Sequence, residues 1–353
     1  MPAPVPPIPT LTVEGDEISI IDQTLLPGEE RRLVVATVEQ MWEAIRSLRI
    51  RGAPAIGIAA AFGMDIAARA SIATDRDGFL ADLAQAKANL ESSRPTAVNL
   101  FWALDRVYNR VTDDPPNDVE QLRRIVRAEA VAILDEDLVA GRAIGEHGAR
   151  LLNNGMVLTH CNAGGLATSG YGTALAPIYV AHEQGKRLQV FADETRPLLQ
   201  GARLTAWELA RAGVPVTVIA DNMAATVLSR QPVQAVIVGA DRVAANGDFA
   251  NKIGTFGLAI MAKELGIPFF VAFPLSTVDP SLASGADIPI EERAPDELTT
   301  FNGRQIVPDA GRVFNPAFDV TPHRYVTAFI TERGVVYPPF DFRVEVAPEP
   351  ALL

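Results

Sequence analysis

The sequence predicts an α/β protein in two parts: a mainly helical amino-terminal domain with a small β element, then a doubly wound parallel-sheet domain. Three observations carry this reading. From Thr37 to about Leu152, apolar residues recur three and four positions apart, the period of helices with one buried face. After Asn153-Asn154-Gly155, short apolar runs alternate with helix-length stretches, the pattern of a parallel sheet covered on both faces. Ahead of both, β-forming segments at 10–13, 17–21 and 32–36 flank the turn chemistry of LLPGEE (25–30), which implies a small antiparallel element.

Taken in order, the Pro-rich opening (2–9) forms an extended arm. Val38, Met41, Ile45 and Leu48 set the first helix, and 55–70, 78–91, 97–111 and 118–152 continue the period. Pro54 and Pro95 suit first helical turns, and Pro115-Pro116 marks a loop. Strands are expected at 156–159, 188–192, 215–220, 235–240, 268–273 and 326–330, with helices such as 203–213 and 252–266 between them. The domains therefore span 1–152 and 153–353, the latter ending in a loose PEPALL tail (348–353).

A chain of 353 residues can bury a large core, and 48% hydrophobic with 21% charged residues is ordinary for a globular protein. A net charge of −12 argues against nucleic-acid binding, which needs a basic stripe. It leaves room for an anionic small molecule, because surface fields fade beyond about 8 Å at physiological salt and a few local arginines prevail. The single cysteine forms no internal disulfide, which fits a reducing compartment. The opening lacks the charged and apolar regions of a signal peptide, and no run reaches about 20 apolar residues. A cytoplasmic location without a membrane span is expected.

Ligands of open parallel sheets bind beyond the carboxyl ends of the strands. That rule selects His160, Cys161 and Asn162, then Asp193 to Arg196, Asp221 and Asn222, Asp241 and Arg242, and Ser276 and Thr277. Cys161 precedes NAGGLATSGYGTA (162–174), a tight turn and helix start whose free amides and dipole would depress the thiol pKa. The competing reading is a small buried hydrophobe. Asp221 suits the N-cap of 222–230. Asp241 instead opens a loop containing Asn246-Gly247-Asp248, with helix resuming near Lys252, and an acid in such a loop points to chemistry. In RGAPAIG (51–57), the Arg51 guanidinium and the Gly52 and Ala53 amides suit a phosphate, or the small residues serve close helix packing. Arg94 is a second phosphate candidate or a surface arginine. Dinucleotide-binding, P-loop and nucleophile-elbow motifs are absent, and the four histidines show no metal-ligand spacing. No metal and no cofactor are expected.

RGAPAIG (51–57), SSRPTAVNL (92–100), THCNAGGLAT (159–168), ETRPLLQGARLTAWEL (194–209) and GADRVAANGDFANKIGT (239–255) resemble the methylthioribose-1-phosphate isomerases. That superfamily is shared with ribose-1,5-bisphosphate isomerases and regulatory subunits of initiation factor 2B. The resemblance runs from about residue 10 to 340, through IPIEER (288–293) and NPAFDVTPHRYVTAFITERG (315–334). It implies a Rossmann-like second domain and a homodimer. It implies that Cys161 and Asp241 are the catalytic pair, and that Arg51, Gly52, Ala53, Arg94, Gln200, Asn251 and Lys252 bind the sugar phosphate. The implied reaction converts 5-methylthioribose 1-phosphate to 5-methylthioribulose 1-phosphate in methionine salvage. The alternatives are 5-deoxyribose 1-phosphate or ribose 1,5-bisphosphate as substrate, or a non-catalytic regulatory subunit.

Overall fold

The computed structural model describes residues 8–113, 116–309 and 311–345, so most of the expected arm, Pro115 and the PEPALL tail lie outside the described residues. The chain opens with an antiparallel sheet of β1 (Leu11–Glu14), β2 (Glu17–Ile21) and β3 (Arg32–Val34). Helices α1 (Val38–Arg46), α2 (Ala53–Ala70), α3 (Arg76–Glu91), α4 (Val98–Thr112) and α5 (Val119–Ala149) follow. Their starts are chemically marked. Thr37 and Gln40 form a reciprocal capping box at α1, while Asp75 and Asp118 cap α3 and α5. Apolar α2 is long enough to cross a bilayer, yet 89% of its span is buried inside the protein, against α1, α3, α4 and α5. Its alanines and glycines allow that close approach.

The chain then builds β4 (Gly155–Thr159), α6 (Ala176–Glu183), β5 (Leu188–Asp193), α7 (Ala206–Arg211), β6 (Val216–Ile219), α8 (Ala224–Arg230) and β7 (Val233–Val238). Next come β8 (Arg242–Ala244), β9 (Phe249–Lys252), α9 (Thr255–Glu264), β10 (Phe269–Ala272) and β11 (Val278–Asp279). After α10 (Asp296–Thr299), the strands are β12 (Thr300–Phe301), β13 (Arg304–Gln305), β14 (Phe318–Thr321), β15 (Ala328–Thr331) and β16 (Gly334–Val336). The main sheet has the order β16-β15-β10-β7-β4-β5-β6 and is parallel except for the terminal β16. From β4 the chain winds out through β5 and β6, then returns to the other side at β7. A crevice opens where the winding reverses, beyond the paired ends of β4 and β7.

One hydrophobic core runs from Leu11 to Ile133, and two more cover the main sheet. α5 joins them. Leu122 to Ile133 lie in the first core, while Ile144 belongs to the second and Gly145 and Gly148 meet α6 at Val180 and Pro177.

Four expectations change. No helix begins after Cys161; a loop with one short turn (Gly165–Ala167) fills the stretch until α6. The loop expected after Asp241 is the hairpin β8–β9, which joins β11 and β14 in a second sheet, and the helix expected over 252–266 begins after it as α9. The segment 203–213 begins as a wide turn over Gly201–Thr205 before α7. Asp221 does not cap a helix through its side chain; its carboxylate accepts the backbone N–H groups of Thr195 and Arg196, both at 2.7 Å.

Candidate active site

Cys161 lies just beyond β4 with φ +62°, a left-handed conformation uncommon for a residue bearing Cβ. Hydrogen bonds hold it there. Its N–H donates to Thr195 Oγ1 at 2.8 Å and its carbonyl accepts from Thr205 Oγ1 at 2.6 Å. Asn162 is tied on both sides. Its carbonyl accepts from Arg51 Nη1 at 2.9 Å, Arg51 Nη2 donates to its Oδ1, and its Nδ2 donates to Glu208 Oε1 at 2.7 Å. Fully buried Glu208 also accepts Gly165 N–H at 2.7 Å and the Tyr179 hydroxyl at 3.1 Å. Gly52 has φ +98°, and a Cβ there would stand 2.5 Å from Ala167 Cα, so this glycine lets α2 touch the Cys161 loop.

Asp241 follows β7, and its N–H donates to Ala250 O at 2.8 Å. That bond closes the hairpin delivering Asn251 and Lys252. Lys252 Nζ donates to Ala317 O at 2.9 Å and stands 4.3 Å from the centroid of the Phe318 ring. Arg94 arrives from the segment before α4; its Nη2 donates to Glu291 Oε2 at 2.9 Å, and its buried Nε has no partner. Gln200 Oε1 is likewise buried without a partner. His160 ties the two walls. Its Nδ1 lies 2.8 Å from Asp193 Oδ2 and its Nε2 2.9 Å from the Ile253 carbonyl, beside Lys252.

These segments enclose a cavity of about 70 Å³. Cys161, Asp241, Arg51, Gly52, Ala53, Arg94, Gln200, Asn251 and Lys252 all line it, as do His160 and Asn162, whereas Asp193 to Arg196, Asp221, Asn222, Arg242, Ser276 and Thr277 do not. Arg293, Leu198 and Phe318 line it too and were not found. Their segments carry no periodicity, and nothing in the spacing of IPIEER (288–293) singles out one arginine.

Burial pushes the Asp241 carboxyl above its usual pKa, against the pull of Lys252, Arg94 and Arg51. Burial also raises the Cys161 thiol, with Lys252 and Arg51 drawing it back and Asp241 adding to the rise. The depressed thiol expected from a helix dipole is therefore corrected: the helix lies too far along the chain, and the cations beside the sulfur do not outweigh desolvation. Burial lowers the Lys252 ammonium, with Cys161 and Asp241 opposing. For His160, burial pulls the pKa down and the Asp193 carboxylate more than reverses it. Such a site favours the protonated form of a carboxyl beside sulfur and a group of cations. A metal fits poorly. Among the described residues one grouping, His160, Asp193 and Asp221, brings its ligand atoms within 4.8 Å, but both imidazole nitrogens and both Asp221 oxygens already have protein partners.

Residues 49–338 match the model of the initiation factor 2 subunit family. The chain belongs to this family. Within the initiation factor 2 subunit family it stands with the sugar-phosphate isomerases. It is 61% identical over 335 residues to a 5-deoxyribose 1-phosphate isomerase from Moorella thermoacetica, covering 95% of each chain. It is 54% identical over 342 residues to a methylthioribose-1-phosphate isomerase from Symbiobacterium thermophilum, covering 96% of this chain and 95% of that one. The crystal structure of a 5-methylthioribose 1-phosphate isomerase from Pyrococcus horikoshii is similar with a TM-score of 0.89 at 48% identity, over 97% of this chain and 95% of that one.

Proposed function

We propose that this isomerase converts 5-methylthio-α-D-ribose 1-phosphate to 5-methylthio-D-ribulose 1-phosphate, a step of methionine salvage, as a homodimer. The observation that carries the reading is the meeting of Cys161 and Asp241 with Arg51, Arg94 and Lys252 around one cavity. Leu48, Leu198 and Phe318 supply apolar wall for a methylthio end. Arg94, Lys252 and Arg51, with Gln200, Asn251 and the backbone of Gly52 and Ala53, hold the phosphate.

The anomeric oxygen carries phosphate, so the ring cannot open as a free hemiacetal does. Asp241 acts as general acid: its proton passes to the ring oxygen as the bond from that oxygen to C1 breaks. Cys161, as thiolate beside Lys252, takes the proton from C2, and the C1–C2 double bond of an enol forms. The sulfur-held proton then goes to C1, the C2 hydroxyl returns a proton to Asp241, and the ketone results with both groups restored. General acid–base catalysis supplies roughly 10²–10⁴-fold, so phosphate clamping and exclusion of water supply the rest.

The decisive experiment compares kcat/KM for methylthioribose 1-phosphate, 5-deoxyribose 1-phosphate and ribose 1,5-bisphosphate. Methylthioribose 1-phosphate is expected to lead, and a clear preference for either rival overturns the substrate assignment. Turnover in deuterated water tests the route: solvent deuterium at C1 of the product is expected, and its complete absence favours hydride transfer.

A further inference from the structure

We propose that Arg293 is a further phosphate ligand, and that Glu291 is the positioning residue that aligns Arg293 with Arg94 as a two-armed clamp. The inference rests on the reading of the site as a sugar-phosphate site. Arg94 arrives from the helical part of the chain and Arg293 from the long segment between β11 and β14, yet both line the same cavity. One carboxylate joins them. Glu291 Oε2 accepts from Arg94 Nη2 at 2.9 Å and Oε1 accepts from Arg293 Nη1 at 3.1 Å. Glu291 is itself fixed, because its carbonyl accepts Ala317 N–H at 2.8 Å and Arg293 N–H donates to Asn315 O at 2.9 Å. The far edge of Arg293 is held by Glu297, with Nε to Oε1 at 2.7 Å.

The Arg94 arm keeps a donor in reserve, whereas on the Arg293 arm Nε and Nη2 face Glu297 and Nη1 faces Glu291, so only the second N–H groups of Nη1 and Nη2 are left for phosphate. A guanidinium offers five N–H groups in a planar fork that matches phosphate oxygens. Arg94 commits Nη2 to Glu291, and its buried Nε is unpartnered. Two guanidiniums facing one cavity repel each other, and with Lys252 beside them they would swing apart while no anion is bound. A carboxylate seated between them offsets that repulsion and sets the planes of both forks before the phosphate arrives.

The test titrates inorganic phosphate into the full chain by calorimetry, alongside KM, kcat and Tm, for Glu291→Gln, Arg293→Met and the double variant. Each single change is expected to weaken phosphate binding and raise KM by about tenfold, the loss of one charged hydrogen bond, while kcat stays within about twofold. The double variant should add little to either single one, because the two residues act as a unit. Unchanged phosphate affinity in Arg293→Met overturns the proposal, and Arg293→Lys replaces that variant if it does not fold. Tighter phosphate binding by Glu291→Gln also overturns it, since the carboxylate would then be a competitor. A wild-type protein that binds no phosphate sinks the clamp. One that binds phosphate and isomerises no sugar phosphate sinks only the functional reading.

Discussion

The two walls of the cavity are built on opposite rules. On the Cys161 side the groups that hold the sulfur's loop are consumed by the protein, Asn162 by Arg51 and Glu208, Cys161 by Thr195 and Thr205, and the Thr195 and Arg196 amides by Asp221, with Asp193 Oδ1 and Gln200 Oε1 left unpartnered at its margin. On the Asp241 side capacity is left over. Arg94 Nε is buried without a partner, and no side-chain hydrogen bond to the Asp241 carboxyl is present among the described residues. Saturated polar networks hold geometry, whereas unspent donors and acceptors await a ligand. The first wall fixes where the sulfur stands, and the second is kept ready to bind.

Changes at the two proposed reacting groups should have the largest effect. Asp241→Asn and Cys161→Ser are each expected to lower kcat by about 10²–10⁴-fold with an unchanged Tm. Steady-state kinetics beside thermal melts checks this, and near-wild-type turnover in either variant removes that residue from the chemistry. The contrast between the walls is sharpened next. Glu208→Ala strands several buried donors and should destabilise the fold by about 3–5 kcal/mol in urea titrations. Lys252→Met, on the opposite wall, should shift stability by no more than about 1 kcal/mol while raising KM at least tenfold. Equal stability losses in these two variants would erase the distinction.

The smallest expected effect is on pH dependence. Asp241 and Cys161 are both raised by burial, and the productive state of the proposed mechanism pairs a carboxylic acid with a thiolate. That state is a minor but constant share of the singly ionised pair. The profile of kcat/KM should therefore rise through the elevated carboxyl pKa and fall only above the usual thiol range, and a falling limb below neutrality would contradict it. The stability linkage has a definite sign. A carboxyl raised in the folded state favours folding at low pH, and Asp241's contribution fades as pH climbs through its folded pKa.

Much of this was legible in the sequence because strand ends and helix faces are written locally. The apolar run before Cys161 and the one before Asp241 both end where the sheet does, and adjacent parallel strands bring those ends together. The β8–β9 hairpin was not legible, since GADRVAANGDFANK lacks the alternation of a half-buried strand and takes its pairing from distant β11 and β14. Arg293 escaped for a similar reason, entering the cavity from a long segment without period. The elevated thiol pKa depends on tertiary burial, which no local motif encodes.

Gly52 carries one more implication. Where α2 meets the Cys161 loop, there is space for a hydrogen atom and nothing larger against Ala167. A methyl group at that seam would act as a wedge, prising the helical half off the sheet half and tilting the first amides of α2 away from whatever anion they face. The seam thus gauges how closely the two halves must shut for the crevice to work.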